Sequence, residues 1–189
     1  MKRLQKMVWS IALGLGTVVY ADYSLVGIEM GYGSLNYDVT NSNVTPALYG
    51  SDSQQYATIG AKIGAENENM RILLSARYGD DFDDYFDYMT NLEVEADYLF
   101  NVSSDANIFV GIHGGRTYMK YSVIGESFSR TISESYYGGN LGVNIHAQED
   151  IDIEIGSRFS VLDAQNLRDG VLYDFTDKVA GYLSIIFKY

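Results

Sequence analysis

The chain has 189 residues, of which 19 are glycine, one is proline (Pro46) and none is cysteine. Its 13 Lys and Arg face 25 Asp and Glu, a net charge of −12. That balance, with no basic stripe carrying interleaved aromatics, excludes a nucleic-acid partner. The missing cysteines exclude a disulfide framework, and the length fits one domain.

In chain order, Lys2, Arg3 and Lys6 form a basic start, and residues 7–19 are apolar and uncharged. Val19-Tyr20-Ala21 then puts small residues at the two positions a signal peptidase reads, so residues 1–21 are expected to be a cleaved secretory signal and 22–189 the mature domain. The apolar run is shorter than the ~20 residues a transmembrane helix needs, and no later run is as long. Without the signal, 10 Lys and Arg face the same 25 acids.

From there on, apolar and polar residues alternate with the period of a strand. Strand one, near 23–37, sets Val26, Ile28, Met30 and Tyr32 against Gly27, Glu29, Gly31 and Gly33. Strand two, near 56–66, sets Ala57, Ile59, Ala61 and Ile63 against Thr58, Gly60, Lys62 and Gly64. Strand three sets Met70, Ile72, Leu74, Ala76 and Tyr78 against Arg71, Leu73, Ser75 and Arg77, and strand four sets Leu92, Val94, Ala96, Tyr98 and Phe100 against Asn91, Glu93, Glu95 and Asp97. Strand five opens with Ile108, Val110 and Ile112 against Phe109, Gly111 and His113; a bulge is expected at Gly114-Gly115, where the phase blurs. Strand six places Leu141, Val143 and Ile145 against Asn140, Asn144 and His146, and strand seven Ile151, Ile153, Ile155 and Phe159 against Asp152, Glu154 and Arg158. Strand eight ends the sequence, with Val179, Gly181, Leu183, Ile185, Phe187 and Tyr189 opposed to Lys178, Ala180, Tyr182, Ser184, Ile186 and Lys188.

The connections predicted after strands two, four and six are short (66–69, 101–107, 148–150), and those after strands one, three, five and seven are long (38–55, 79–88, 122–135, 162–177). Sorting by parity is the asymmetry of a membrane barrel with short periplasmic turns and longer extracellular loops. An apolar–Gly–apolar repeat (Val26-Gly27-Ile28, Ile59-Gly60-Ala61, Val110-Gly111-Ile112, Leu141-Gly142-Val143) reads as interior packing, the glycine making room for a neighbour's long side chain.

A soluble sandwich or lipocalin-like barrel shares the alternation, with the apolar face as its core. The polar face, however, carries acids and bases in near-matched numbers: Glu29, Glu93, Glu95, Asp97, Asp152 and Glu154 against Lys62, Arg71, Arg77, Arg158, Lys178 and Lys188. Matched charge suits a lumen, because buried charges must be paired. A hairpin of strands three and four would bring Arg71 to Asp97 and Arg77 to Glu93. Tyr23, Tyr98, Phe100, Phe187 and Tyr189 at the short-turn ends, and Tyr32, Tyr56, Tyr78, Tyr137 and Phe159 toward the loops, are expected to form two aromatic girdles.

With these features, and a closing strand that ends on an aromatic residue, the chain resembles the small bacterial outer-membrane barrels of the OmpA transmembrane-domain, OmpX and opacity-protein type over essentially all of 22–189. The resemblance implies an all-β, eight-stranded antiparallel up-and-down barrel, integral to the outer membrane and monomeric, in contact with lipid and lipopolysaccharide. It further implies that Phe187 and Tyr189 form the C-terminal signal read by the barrel-assembly machinery. A lipid A deacylase of this barrel type would group His, Ser and Glu on its lipid-facing surface. Here His113 and His146 alternate with lipid-facing residues and are expected to hydrogen-bond in the lumen. No two-histidine metal spacing exists, and no cofactor is expected. Asp80, Asp81, Asp83, Asp84 and Asp87 could capture a divalent cation, but their spacing does not fit a calcium loop, and a solvated acidic loop is the simpler reading. The expected function is non-enzymatic: envelope integrity and surface contact through acidic loops. A narrow solute channel and a lipid A-modifying enzyme are the alternatives.

Overall fold

The computed structural model describes residues 21–43, 47–81, 86–122, 129–168 and 170–189. The signal segment up to Tyr20, and Asp83 and Asp84 of the acidic loop, lie outside them; for Asp81 and Asp87 the backbone alone is described.

Eight antiparallel strands close into one barrel in chain order: β1 (Tyr23–Asn41), β2 (Leu48–Glu66), β3 (Met70–Asp81), β4 (Phe86–Ser103), β5 (Ala106–Ser122), β6 (Ser129–Gln148), β7 (Ile151–Arg168) and β8 (Val171–Lys188). β8 closes on β1, with Val26 opposite Phe187 and Ile28 opposite Ile185. Closure leaves no unpaired edge at membrane depth, the condition a sheet must meet in hydrocarbon.

The strands are longer than the alternation predicts. Most of the stretches expected as long loops are paired strand: β1 and β2 stay in register to Asn41 opposite Leu48, and β7 and β8, past a register shift at Val161/Ala164, pair to Arg168 opposite Val171. Alternation is a sign of one face meeting lipid. Past the bilayer both faces meet water, so the pattern fades while the hydrogen-bonded ladder continues. These hairpins carry the asymmetry expected of the loops, and the three turns at the opposite end are tight.

The bulge expected at Gly114-Gly115 is absent. β5 and β6 pair without interruption from Ala106 opposite Ile145 to Ser122 opposite Ser129. Gly115 faces inward with the Leu92 carbonyl and the Glu93 backbone hard against it, so it is glycine for lack of room. Register shifts fall elsewhere, at Asn36/Tyr37, Phe86/Tyr88, Asn101/Ser103, His146/Gln148 and Val161/Ala164.

Candidate functional site: the charged lumen

The interior is a stack of three layers. Toward the short turns, Leu25, Leu73 and Ile186 form one buried cluster, and Leu99, Phe109 and Tyr182 another. Toward the long hairpins, Leu35, Tyr56, Met89, Met119, Ile132, Tyr136, Leu162, Ala164 and Phe175 form a third. Between them lies a charged layer to which five strands, β1, β2, β3, β4 and β7, contribute paired acids and bases.

Glu29 on β1 is its hub. It accepts from Arg158 Nη1 at 2.7 Å and Nη2 at 2.9 Å, and meets Lys62 Nζ at 2.8 Å. Lys62 also reaches Glu154 at 2.8 Å, and Glu154 meets Arg71 at 2.6 Å. Arg71 clamps Asp97 through Nε and Nη2 at 2.9 and 2.7 Å, and Asn140 donates to the other Asp97 oxygen at 2.7 Å. Arg158 extends to Glu95 at 3.0 Å, and Arg77 meets Glu93 at 2.5 Å. Arg71 and Asp97 are opposed residues of the β3–β4 ladder, whereas Arg77 lies opposite Asn91 and reaches Glu93 along a diagonal.

Each charge comes out of water, a penalty of several kcal/mol per ion after relaxation. Here every one of these carboxylates contacts at least one cation, which is the condition for offsetting it. Aromatic rings supply further contacts: Arg158 Cζ stands 3.7 Å from the Tyr182 ring centre, and Arg71 Cζ 4.9 Å from that of Phe109. Glycines make room for this. A Cβ on Gly27 would meet Lys62 Cγ at 3.0 Å, and one on Gly60 would meet Arg77 Cγ at 2.5 Å.

Lys178 differs from the other lumen cations. It donates to Asn91 Oδ1 at 2.6 Å and stands 3.5 Å from the Tyr136 ring centre, with its positive charge on a ring face where the others meet carboxylates. Lys188 sits at the short-turn mouth, bridging Glu66 at 3.0 Å and Asp152 at 2.8 Å, and His146 Nδ1 contacts Asp152 at 2.8 Å. His113 is buried, its Nε2 2.9 Å from Ser160 Oγ and 3.9 Å from Glu93. Serine and carboxylate thus address the same ring nitrogen. A nucleophilic triad needs them on opposite nitrogens, in a site substrate can reach.

Outside the barrel the polarity is reversed. Ile112 is 71% exposed, Ile59 66% and Met30 61%, whereas Arg71 and Glu154 are wholly buried. Exposed Tyr23, Tyr98, Phe100, Phe187 and Tyr189 ring the short-turn end, and Tyr32, Tyr78, Tyr118, Tyr137 and Phe159 ring the other. Tyr56 is a correction: it points inward, buried in the upper apolar layer, because it shares the phase of Thr58 and Lys62. An apolar belt between two aromatic girdles around a polar, charged interior is the arrangement of a protein whose solvent is lipid.

The chain has the fold of the small eight-stranded outer-membrane barrels. The crystal structure of Neisserial surface protein A superposes with a TM-score of 0.58 at 13% sequence identity, covering 86% of this chain and 97% of that one. Ail of Yersinia pestis gives 0.44 at 14% identity (88% and 99% covered), and the N-terminal β-barrel domain of Pseudomonas aeruginosa OprF 0.47 at 14% (87% and 97%). No protein-family model matches the sequence, and no curated protein matches it. What is shared is therefore the fold.

Several residues of the barrel's interior escape a reading based on charge alone. Asn91, Asn140 and Tyr182, which strand phase places on the inward face, all take part in the network; Tyr136, which donates to Glu93 at 2.8 Å, and Ser160 were missed, though the same phase could have placed them. Glu66, the end of strand two in the sequence pattern, is the last residue of β2 and buried, and it belongs to the charged interior although charge on the polar face did not single it out. Of the acidic loop, Asp80 is exposed, and no group of three metal-ligating side chains occurs among the described residues.

Proposed function

We propose that this barrel is a closed, non-enzymatic, monomeric component of the bacterial outer membrane that strengthens the envelope and uses its long hairpins for surface contact. The observation that carries this reading is the layered lumen. Its charged zone encloses a cavity of about 30 Å³, room for a water or two, lined by Glu29, Arg77, Glu93, Arg158 and Lys178. Apolar layers lie above and below it. A solute would have to part at least two salt bridges and an apolar plug together. The His113–Ser160 pair is enclosed in the same interior and its carboxylate approaches the wrong nitrogen, which argues against lipid or peptide hydrolysis there. Export through a cleaved 1–21 segment and insertion guided by Phe187 and Tyr189 belong to the same reading.

The hairpins supply the contact surface. They present Leu48, Tyr49 and Leu167, all more than 60% exposed, beside Asp38, Asp52 and Asp174. Single-channel recording on purified, refolded protein in a planar bilayer tests the closed lumen. The expected trace is flat; a stable conductance lost on unfolding would overturn it. Mass spectrometry of lipid A with and without expression tests the non-enzymatic part, with an unchanged mass expected.

A further inference from the structure

Among the described side chains, the basic residues outside the lumen share one strand. Of the ten Lys and Arg after Ala21, Lys62, Arg71, Arg77, Arg158, Lys178 and Lys188 line the interior or its mouth. The side chains of Arg130 and Arg168 are not among those described. The remaining two, Arg116 and Lys120, share the outer face of β5, in phase with lipid-facing Ile108, Val110 and Ile112.

Arg116 sits in the girdle at the long-hairpin end, its Cζ 5.6 Å from the Tyr118 ring centre. It donates from Nε to Ser133 Oγ at 2.9 Å and from Nη2 to the Ser133 carbonyl at 3.4 Å, and no carboxylate among the described residues pairs with it. The ladder sets Ser135 opposite Arg116, Ser133 opposite Tyr118 and Thr131 opposite Lys120, so β6 contributes three hydroxyls to the same face. Glu134, the acid of that stretch of β6, has the opposite phase. The result is a lane rich in hydrogen-bond donors, about 13 Å long from residue 116 to 120 at ~3.3 Å per residue. At the β1–β8 seam the long-hairpin end is acidic instead: Asp38 and Asp174 are directly opposed there.

An arginine at mid-bilayer is costly, but at the interface the cost falls to near zero. Anchored on one edge by Ser133, the guanidinium holds a fixed orientation at headgroup depth, where the anions are phosphates. A planar fork beside hydroxyl donors matches a phosphate monoester on a sugar. We propose that the outer face of β5–β6 is a docking lane for the phosphorylated glycolipid of the outer leaflet, with Arg116 as its principal phosphate contact and Lys120, Thr131, Ser133 and Ser135 flanking it. This names the lipid partner of the envelope role proposed above and rests on that reading. It also gives the barrel a polarity in the plane of the membrane, one side holding lipid phosphate and the opposite side repelling it.

Native mass spectrometry of the refolded barrel tests this, using bisphosphorylated lipid A and the same lipid with its phosphates removed. Retention of the phosphorylated form should exceed that of the other by roughly tenfold, as expected for one or two charge-assisted hydrogen bonds. Arg116→Gln should abolish the preference and Arg116→Lys should keep part of it, both with unchanged heat-modifiable gel migration. Equal retention of both lipids by the natural protein would overturn the proposal. So would an unchanged preference in Arg116→Gln; should that variant misfold, the two-lipid comparison on the natural protein decides alone. Conductance is independent of Arg116, so a failed closed-lumen reading and a failed lipid lane are distinguishable.

Discussion

Arg71 and Glu154 meet at 2.6 Å across the lumen although β3 and β7 share no ladder. Both side chains are wholly buried, and each has a second partner, Asp97 for the arginine and Lys62 for the glutamate. The contact ties opposite walls of the barrel together, something backbone pairing alone cannot do.

Removing one member of that chain strands the others. Glu154→Leu should leave Arg71 and Lys62 short of a carboxylate and cost about 3–5 kcal/mol of stability. Denaturant unfolding from vesicles, followed by far-UV circular dichroism or gel mobility, would measure it. The double variant Glu154→Leu with Arg71→Met should recover part of the loss, because the bare cation is removed with its partner.

The lipid face should answer to a different substitution. Ile112 is 71% exposed in the middle of β5, so Ile112→Arg should cost about 2–4 kcal/mol in a bilayer. The same change in a soluble fold would be nearly neutral, and equilibrium unfolding from vesicles separates the two.

Glycines of the two faces should diverge. A Cβ on Gly60 would lie 2.5 Å from Arg77 Cγ and 2.7 Å from the Ala76 carbonyl, so Gly60→Ala should destabilise by about 1–3 kcal/mol. A Cβ on Gly181 meets nothing closer than 4.0 Å, so Gly181→Ala should be neutral or gain up to about 1 kcal/mol by restricting the unfolded chain. The unfolding midpoint of Gly60→Ala should fall, and that of Gly181→Ala should hold or rise.

The lower plug can be thinned. Phe109 packs with Leu99 and Tyr182 and is fully buried, so Phe109→Ala should cost about 3–5 kcal/mol. Combined with Tyr182→Ala it should introduce brief conductance events in a planar bilayer, against the flat trace expected of the natural protein.

Much of this was legible before any coordinates. Alternation named the eight strands and their phase, because a strand with lipid on one side and a lumen on the other must sort its residues by face. The near-matched charges on the polar phase pointed to an interior, and the Arg71–Asp97 rung follows from a single hairpin register. Where the pattern was lost, so was the reading. Residues 38–55 have polar side chains on both faces, yet β1 and β2 pair through most of them, since the ladder needs only backbone groups. Tyr56 was assigned to a girdle by its type, whereas its phase places it inside.

Sequence by itself determined the strand count, the inward and outward faces and the sign of each lumen charge, all local consequences of a two-residue period. Which charges meet across the barrel, the apolar layers that cap them, and the lane that Arg116 forms with Ser133 were decided by the tertiary structure. Closure brings β1, β2, β3, β4 and β7 within one side chain's reach of a common axis, and that proximity depends on register accumulated around the whole ring. No single strand carries that information.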